Sequence, residues 1–182
     1  MNRIPERNRP LVILATGVVV LLLVAGGVLL VGQLGPSPTP TPPGSPTATA
    51  SPSADPSTPE GATRAFFDAF AQARRTDDAS IVAPFVTGTE SSAYRTVDAF
   101  LRGQKESGKA SVITTNDLSG FGVDVQGTTA TVMVTQQLGG YDIDVDTGEP
   151  RESPTLLPPT SFRVVLKLVD GRWLVDEFEP LQ

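Results

Sequence analysis

The chain has no cysteine and no histidine among its 182 residues, and each absence excludes a class of structure or chemistry. Without cysteine the fold does not depend on disulfide bonds. A lipoprotein anchor is also excluded, because the stretch from Leu23 to Gly27 resembles a lipobox but places Gly27 where the lipid-bearing cysteine must stand. Without histidine the chain lacks the commonest general base and the commonest transition-metal ligand.

Positive charge is scarce in the C-terminal two thirds of the chain. Residues 60–182 contain 11 Lys and Arg against 18 Asp and Glu, a net charge of −7. Proteins that bind nucleic acid concentrate positive charge on one face. We therefore expect no nucleic-acid partner.

One long apolar run organises the N-terminal part. Leu11 to Gly32 are 22 residues without a charge, and as a helix they span about 33 Å, close to the roughly 30 Å hydrocarbon core of a bilayer. We predict a single transmembrane helix that acts as a signal-anchor. The alternative is a secretory signal cleaved after Gly32, which would release a secreted domain, but the apolar region of such signals is usually about 7 to 15 residues.

The flanking charges predict the orientation of this helix. Arg3, Arg7 and Arg9 precede it, and the next charged residue after it is Asp55. Positive residues favour the cytoplasmic side. We expect residues 1–10 to be a cytoplasmic tail and the C-terminal domain to be extracytoplasmic, in a single-pass protein of the cell membrane.

Residues 33–59 have the composition of a disordered linker. From Gly35 to Pro59 there are nine Pro, five Ser and five Thr in 25 residues. Such a segment buries no core and favours extended polyproline II conformations. It is expected to hold the domain, residues 60–182, away from the membrane.

Three helices are predicted after the linker. Ser57 and Glu60 have capping-box spacing around Pro59, and a stripe at helical spacing extends to Ala73, with an end near Thr76. Arg74 and Arg75 fall in the last turn, where we favour a solvated helix end over an anion site. A short helix capped by Asp78 and limited by Pro84 follows, and a third runs from about Ser91 to Ser107 with Tyr94, Val97, Phe100 and Leu101 on one face.

The rest of the chain predicts antiparallel strands. These are Val112 to Leu118, Gly122 to Gln126, Thr128 to Leu138, an alternating stretch from Tyr141 to Asp146, and a closing hairpin of Ser161 to Val169 and Arg172 to Glu179 around Asp170-Gly171. A proline-containing loop is expected from Thr147 to Thr160. Helices followed by antiparallel strands indicate an α+β fold.

Three segments resemble the nuclear transport factor 2-like superfamily, which includes ketosteroid isomerase-like and SnoaL-like proteins. They are Pro59 to Phe70, Gln126 to Val132, and the Asp-Gly-Arg-Trp-Leu-Val-Asp sequence from Asp170 to Asp176. The resemblance implies a cone-shaped domain in which a curved antiparallel sheet wraps three helices around a cavity. It also implies that Trp173 packs into or beside that cone.

Candidate catalytic residues follow from this resemblance, because an isomerase-like site needs a carboxylate base and a hydroxyl donor. Tyr94, Asp98, Asp124 and Tyr141 supply those types, but no spacing singles them out, and fold does not imply function. We expect no enzymatic activity and no cofactor.

The run Asp142, Asp144 and Asp146 invites a cation-site hypothesis. An EF-hand loop would need glycine and an acid where Thr147 and Ser153 stand. We favour a solvated strand face over a cation site.

The leading functional hypothesis is a membrane-tethered, non-catalytic, extracytoplasmic domain that binds a protein partner or organises an envelope complex, with homodimerisation through the sheet face as a further expectation. The alternative is a small-molecule binder or isomerase-like enzyme that uses the cone cavity. A deep, mostly apolar cavity with Asp and Tyr would favour the alternative, and a cavity filled by Phe66, Phe70, Phe100 and Trp173 would favour the leading hypothesis.

Overall fold

The computed structural model describes residues 54–181. The predicted tail, transmembrane helix and most of the linker lie outside this range. Within it, no helix combines the length and apolar character that a membrane crossing requires.

The first helix, α1, spans Pro59–Thr76. Its N-cap is Thr58, whose side-chain oxygen accepts a hydrogen bond from the backbone N–H of Gly61 at 3.1 Å. The prediction of a Ser57 cap is therefore wrong by one residue, because Pro59 occupies the first helical position and the cap directly precedes it. Ser57 instead donates hydrogen bonds to the carboxylate of Asp55.

Two further helices confirm the predicted count of three. A 3-10 helix spans Ala79–Phe85, and the Asp78 carboxylate caps it by accepting from the backbone N–H of Ser80 at 2.9 Å. The second α-helix, α2, spans Ser92–Glu106 with Ser91 as its N-cap.

Five strands form one antiparallel sheet. They are β1 (Lys109–Gln126), β2 (Thr129–Asp144), β3 (Thr155–Leu156), β4 (Thr160–Val169) and β5 (Arg172–Pro180). The main path is β1-β2-β4-β5, and β3 pairs with the second half of β2. The sheet and the helices confirm the α+β class.

Strand boundaries differ from the prediction at two places. The two segments predicted before Gly127 form the single strand β1, whose glycines fall at a register shift between Ser119 and Gly122. The two segments predicted after Gly127 likewise form one strand, β2. It ends at Asp144 because that carboxylate accepts the backbone N–H groups of Asp146 and Thr147, which turns the chain.

The core lies between the helices and one face of the sheet. Aromatic rings make edge-to-face contacts across it, with centroids 5.1 Å apart for Phe66 and Phe178 and 5.3 Å apart for Phe67 and Phe162. The alternation predicted for β2 is confirmed, and Trp173 is buried as expected. The sheet residues of the hydrophobic core are Ala130, Val132, Val134, Val164, Leu166, Trp173, Val175 and Phe178.

Residues just before the predicted boundary at Glu60 make hydrogen bonds to the domain. The backbone N–H of Trp173 donates to the carbonyl oxygen of Pro56 at 3.0 Å, and Thr58 donates to the carbonyl oxygen of Asp55. Pro56 therefore contacts strand β5, and Asp55 contacts the N-cap of α1.

β2 lies against β1 at Gly140 with no room for a side chain. A Cβ atom at this position would lie 2.2 Å from the carbonyl oxygen of Val112, closer than any side chain tolerates. The neighbouring strand backbone leaves room for glycine alone.

We expect Gly140→Ala to lower the free energy of unfolding by about 1–3 kcal/mol, because the added methyl group must displace backbone. Urea unfolding followed by the emission of Trp173 measures this change. The matched control is Gly103→Ala in α2, where no atom lies within 4 Å of the added Cβ and the exchange should stabilise by about 0.5–1 kcal/mol. Equal unfolding midpoints for the two variants would contradict the conclusion that the backbone of β1 leaves no room for a side chain at position 140.

Candidate functional site

A cavity opens between the C-terminal half of α1, α2 and the sheet. Its volume is about 290 Å³, near the lower end of the roughly 300–1,000 Å³ found for small-molecule pockets. Most of the wall is apolar. The lining consists of Phe70, Phe100, Leu138, Leu157, Pro158, Phe162, Phe178 and Pro180, together with Arg74, Thr96, Gln136 and Thr160.

The two helices position the aromatic wall. Phe70 lies one helical turn beyond the buried Phe66 on α1, and its ring meets Phe100 of α2 edge to face at 5.6 Å. Val97 and Leu101 of α2 are fully buried, whereas Phe100 is 44% exposed. The prediction that Phe100 lies on the core face is thus only half right, because its ring lines the open cavity and does not fill it.

Arg74 carries the one charge among the described residues that line this cavity. It follows Phe70 by four residues, so it continues the inward-facing stripe of α1. Its Cζ atom lies 4.9 Å from the ring centroid of Phe100 and 6.0 Å from that of Phe70, within the range of cation–π attraction. The prediction of a solvated helix end is correct for the exposed Arg75 and wrong for Arg74.

A buried polar network fixes the end of α1 behind the cavity. The side-chain amide of Gln104 donates to the carbonyl oxygen of Arg74 at 2.7 Å and to the carboxylate of Asp77 at 2.8 Å. Burial raises the pKa of Asp77 above its ordinary value, and the hydrogen bond from Gln104 offsets part of that increase. One of the unsatisfied carbonyl groups at the helix C-terminus thereby finds a partner.

The network continues to a smaller pocket of about 70 Å³ that shares Arg74 with the cavity. The hydroxyl of Ser111 lies 2.7 Å from the Asp142 carboxylate and 3.0 Å from the Gln104 carbonyl oxygen. Because a hydroxyl has one proton, donation to the nearer, charged Asp142 is favoured.

Asp142 is held as a carboxylate. Lys109 donates to it at 2.6 Å. Burial acts to raise the pKa of Asp142, but the hydrogen bonds from Lys109 and Ser111, and the charges of Lys109 and Arg74, hold it below its ordinary value. The attraction works in both directions, so the Asp142 charge partly offsets the lowering of the Arg74 pKa that burial causes.

The four predicted catalytic candidates lie on three separate elements. Tyr94 packs partly buried against the core from α2, and Asp98 on the same helix pairs with Arg102. Asp124 is exposed near the end of β1, where it accepts from Gln126 at 2.9 Å. Tyr141 lines the smaller pocket. None of the four lines the larger cavity.

Two carboxylates of the candidate cation site have other partners. Asp142 pairs with Lys109, and Asp144 accepts from Arg151 at 2.7 Å. Asp146 is exposed in the turn that follows β2. Within residues 54–181, no three acidic side chains converge as metal ligands would. The cation site was the alternative that the sequence did not favour, and no finding tests it.

Comparison with known proteins finds similarity in fold and none in sequence family. No family model matches the chain, and no curated protein matches it. The intermembrane space region of the chloroplast protein ARC6 is 17% identical over 70% of this chain and 96% of that one, with a TM-score of 0.54. The described domain therefore shares its fold with the ARC6 region.

Weaker structural matches include proteins described as NTF2-like or cystatin-like. An NTF2-like protein from Cytophaga hutchinsonii is 17% identical over 68% of this chain and 97% of its own, with a TM-score of 0.43. A protein with a cystatin-like fold from Nostoc punctiforme is 7% identical over 66% of this chain and 88% of its own, also with a TM-score of 0.43.

Of the two polar residues that shape the site, sequence reasoning considered Arg74 and set it aside as solvated, and it missed Gln104. The signal for Arg74 was present, because Ala62, Phe66 and Phe70 recur every four residues and position 74 comes next. No comparable signal marked Gln104, since its partners lie 27 and 30 residues away in sequence.

Arg151 holds the loop after β2 beside the smaller pocket. Its hydrogen bond to Asp144 predicts that the stability of the domain depends on pH. The Arg151 hydrogen bond, with those from Thr147 and Asp146, lowers the pKa of Asp144 from 3.8 to about 2. A lowered folded-state pKa stabilises the protein above pH 3.8, and the contribution is lost as the pH falls towards 2.

We expect Arg151→Ala to raise the pKa of Asp144 towards its ordinary value, as measured by NMR titration of the carboxyl carbon. The stability difference between variant and wild type should narrow as the pH falls through this window. Arg172→Ala, which removes the same charge from the exposed start of β5, is the control and should leave the Asp144 titration unchanged. An unchanged titration in Arg151→Ala would refute the contact.

Proposed function

We propose that the chain is a membrane-tethered, extracytoplasmic domain that acts by binding and not by catalysis, and that the cavity between α1, α2 and the sheet is its binding site. The observation that carries the proposal is the chemistry of the lining. Aromatic and aliphatic side chains dominate it, and it contains no carboxylate, tyrosine or histidine among the described residues. Arg74 stays charged at neutral pH and is a poor general base.

The cavity favours a small molecule over a protein partner as the ligand. Phe66 and Trp173 are buried in the core, so they do not fill the cavity, and Phe70 and Phe100 form its wall. An apolar space with a few fixed polar groups is typical of small-molecule sites. The sequence alone ranked a protein partner ahead of a small-molecule ligand, and our proposal reverses that ranking.

A protein partner is the second candidate, and exposed apolar residues at the cavity support it. Leu156 is 61% exposed and Leu157 is 47% exposed, and Leu157 and Phe100 both line the cavity. Contiguous exposed apolar surface is a common feature of protein interaction sites.

The tether is proposed from the sequence, and the absence of cysteine makes it directly testable. Asn8→Cys places a thiol in the predicted cytoplasmic tail, and Ser119→Cys places one at an exposed position of β1. In intact bacterial cells, a membrane-impermeant maleimide should label the Ser119→Cys chain, and it should label the Asn8→Cys chain only after lysis. Both chains should sediment with membranes.

Labelling of both thiols only after lysis would contradict the extracytoplasmic location. A Ser119→Cys chain recovered in the medium, shortened at its N-terminus, would replace the anchor with a cleaved signal.

Binding in the cavity is tested by thermal unfolding with small apolar compounds. A ligand that binds only the native state stabilises it by about 2.7 kcal/mol at a hundred times its dissociation constant. Such a ligand should therefore raise the unfolding temperature. Thr96→Phe, at an exposed cavity position on α2, should fill the mouth of the cavity and abolish this rise in unfolding temperature. The matched control, Ala99→Phe, adds a ring at an exposed α2 position that does not line the cavity and should retain the shift. Equal rises in unfolding temperature in both variants would mean that the ligand binds outside the cavity.

A further inference from the structure

Arg74 has hydrogen-bonding capacity that the described residues do not use. Its Nε atom is buried and has no hydrogen-bond partner. Its guanidinium makes no ion pair with a carboxylate of residues 54–181. Unsatisfied buried donors are rare in folded proteins, and each one calls for a physical explanation.

The carboxylate that attracts Arg74 does not supply the missing hydrogen-bond partner. Asp142 attracts Arg74 electrostatically, but its two oxygens accept hydrogen bonds from Lys109 and Ser111 at 2.6 and 2.7 Å. The positive charge of Lys109 offsets the negative charge of Asp142. Arg74 is thus a cation in an apolar wall with no opposing charge of its own.

The surroundings of Arg74 hold its guanidinium at the cavity. Gln104 anchors the backbone carbonyl of Arg74, and the rings of Phe70 and Phe100 lie within cation–π distance of its Cζ atom. A guanidinium held in this way is pre-organised, so less side-chain entropy is lost when it binds a ligand.

We infer that the cavity binds a small molecule with one carboxylate on an apolar body, with the carboxylate on Arg74 and the body among Phe70, Phe100, Phe162 and Leu138. This inference rests on the proposed function. A planar carboxylate matches the two-pronged donor geometry of arginine. A single negative charge matches the lining, which offers one cation, whereas a phosphate would bring more charge beside Asp142 and Glu152 of the adjoining pocket.

The test is isothermal titration calorimetry on the full chain in lipid nanodiscs, with empty nanodiscs as the blank. The probes are phenylpropionate and phenylpropanol, which have the same apolar body and differ in the carboxylate. A hydrogen bond to a charged group contributes roughly 1.5–3 kcal/mol, so the acid should bind about ten- to a hundredfold more tightly than the alcohol.

Two variants assign the preference to one residue. Arg74→Met keeps an apolar stem and should lower acid binding to the level of the alcohol while alcohol binding persists. Arg75→Met removes the same charge from the exposed neighbouring position and should keep the full preference for the acid.

Every other outcome contradicts one part of the inference or of the proposed function. Equal binding of acid and alcohol to the wild type refutes the carboxylate inference and leaves the cavity proposal standing. Absence of binding by both refutes the cavity as a small-molecule site. A preference that survives in Arg74→Met refutes the role of Arg74. Should Arg74→Met fail to fold, Arg74→Lys replaces it, and undiminished acid preference there would refute recognition by the guanidinium fork.

Discussion

The packing of one face of α1 against the sheet is the constraint on which the rest of the domain depends. Ala62, Phe66 and Phe70 recur every four residues, and the ring of Phe66 meets Phe178 of β5 at 5.1 Å. This contact buries two large aromatic side chains and fixes how the helix lies across the strands. At the next position of the stripe stands Arg74, whose charge disfavours closed apolar packing. The core therefore ends there, and the cavity begins.

The polar groups behind Arg74 stabilise this unusual helix end. Gln104 satisfies the Arg74 carbonyl oxygen and contacts Asp77, while the neighbouring Ser111 donates to Asp142. The result is a cavity with a rigid apolar wall and one oriented cation. Such a site suits selective binding, since apolar contacts supply affinity and the cation fixes orientation. Acid–base catalysis would require groups that the described lining does not contain, which is why we propose binding.

Local signals in the sequence predicted the fold, and distant contacts decided what the sequence missed. The helices, the Gly127 hairpin and the closing hairpin around Asp170-Gly171 follow from caps, spacing and turn residues, and the structure confirms them. The merging of segments into β1 and β2 depends on pairing between strands, which overrides the local tendency of glycine to end a strand. Gln104 joins groups about thirty residues apart, so no local pattern reveals it. Arg74 was visible in the stripe, but charge at a helix end ordinarily indicates solvent.

The most direct test of the central claim is NMR of the full chain with isotope-labelled arginine side chains. The Nε–H resonance of Arg74, assigned by its loss in Arg74→Lys, reports the one buried side-chain donor of residues 54–181 that has no partner. The account predicts that phenylpropionate shifts this resonance strongly and that phenylpropanol leaves it nearly in place. An Arg74 resonance that does not move while phenylpropionate binds would show that the carboxylate sits elsewhere, and it would contradict the account.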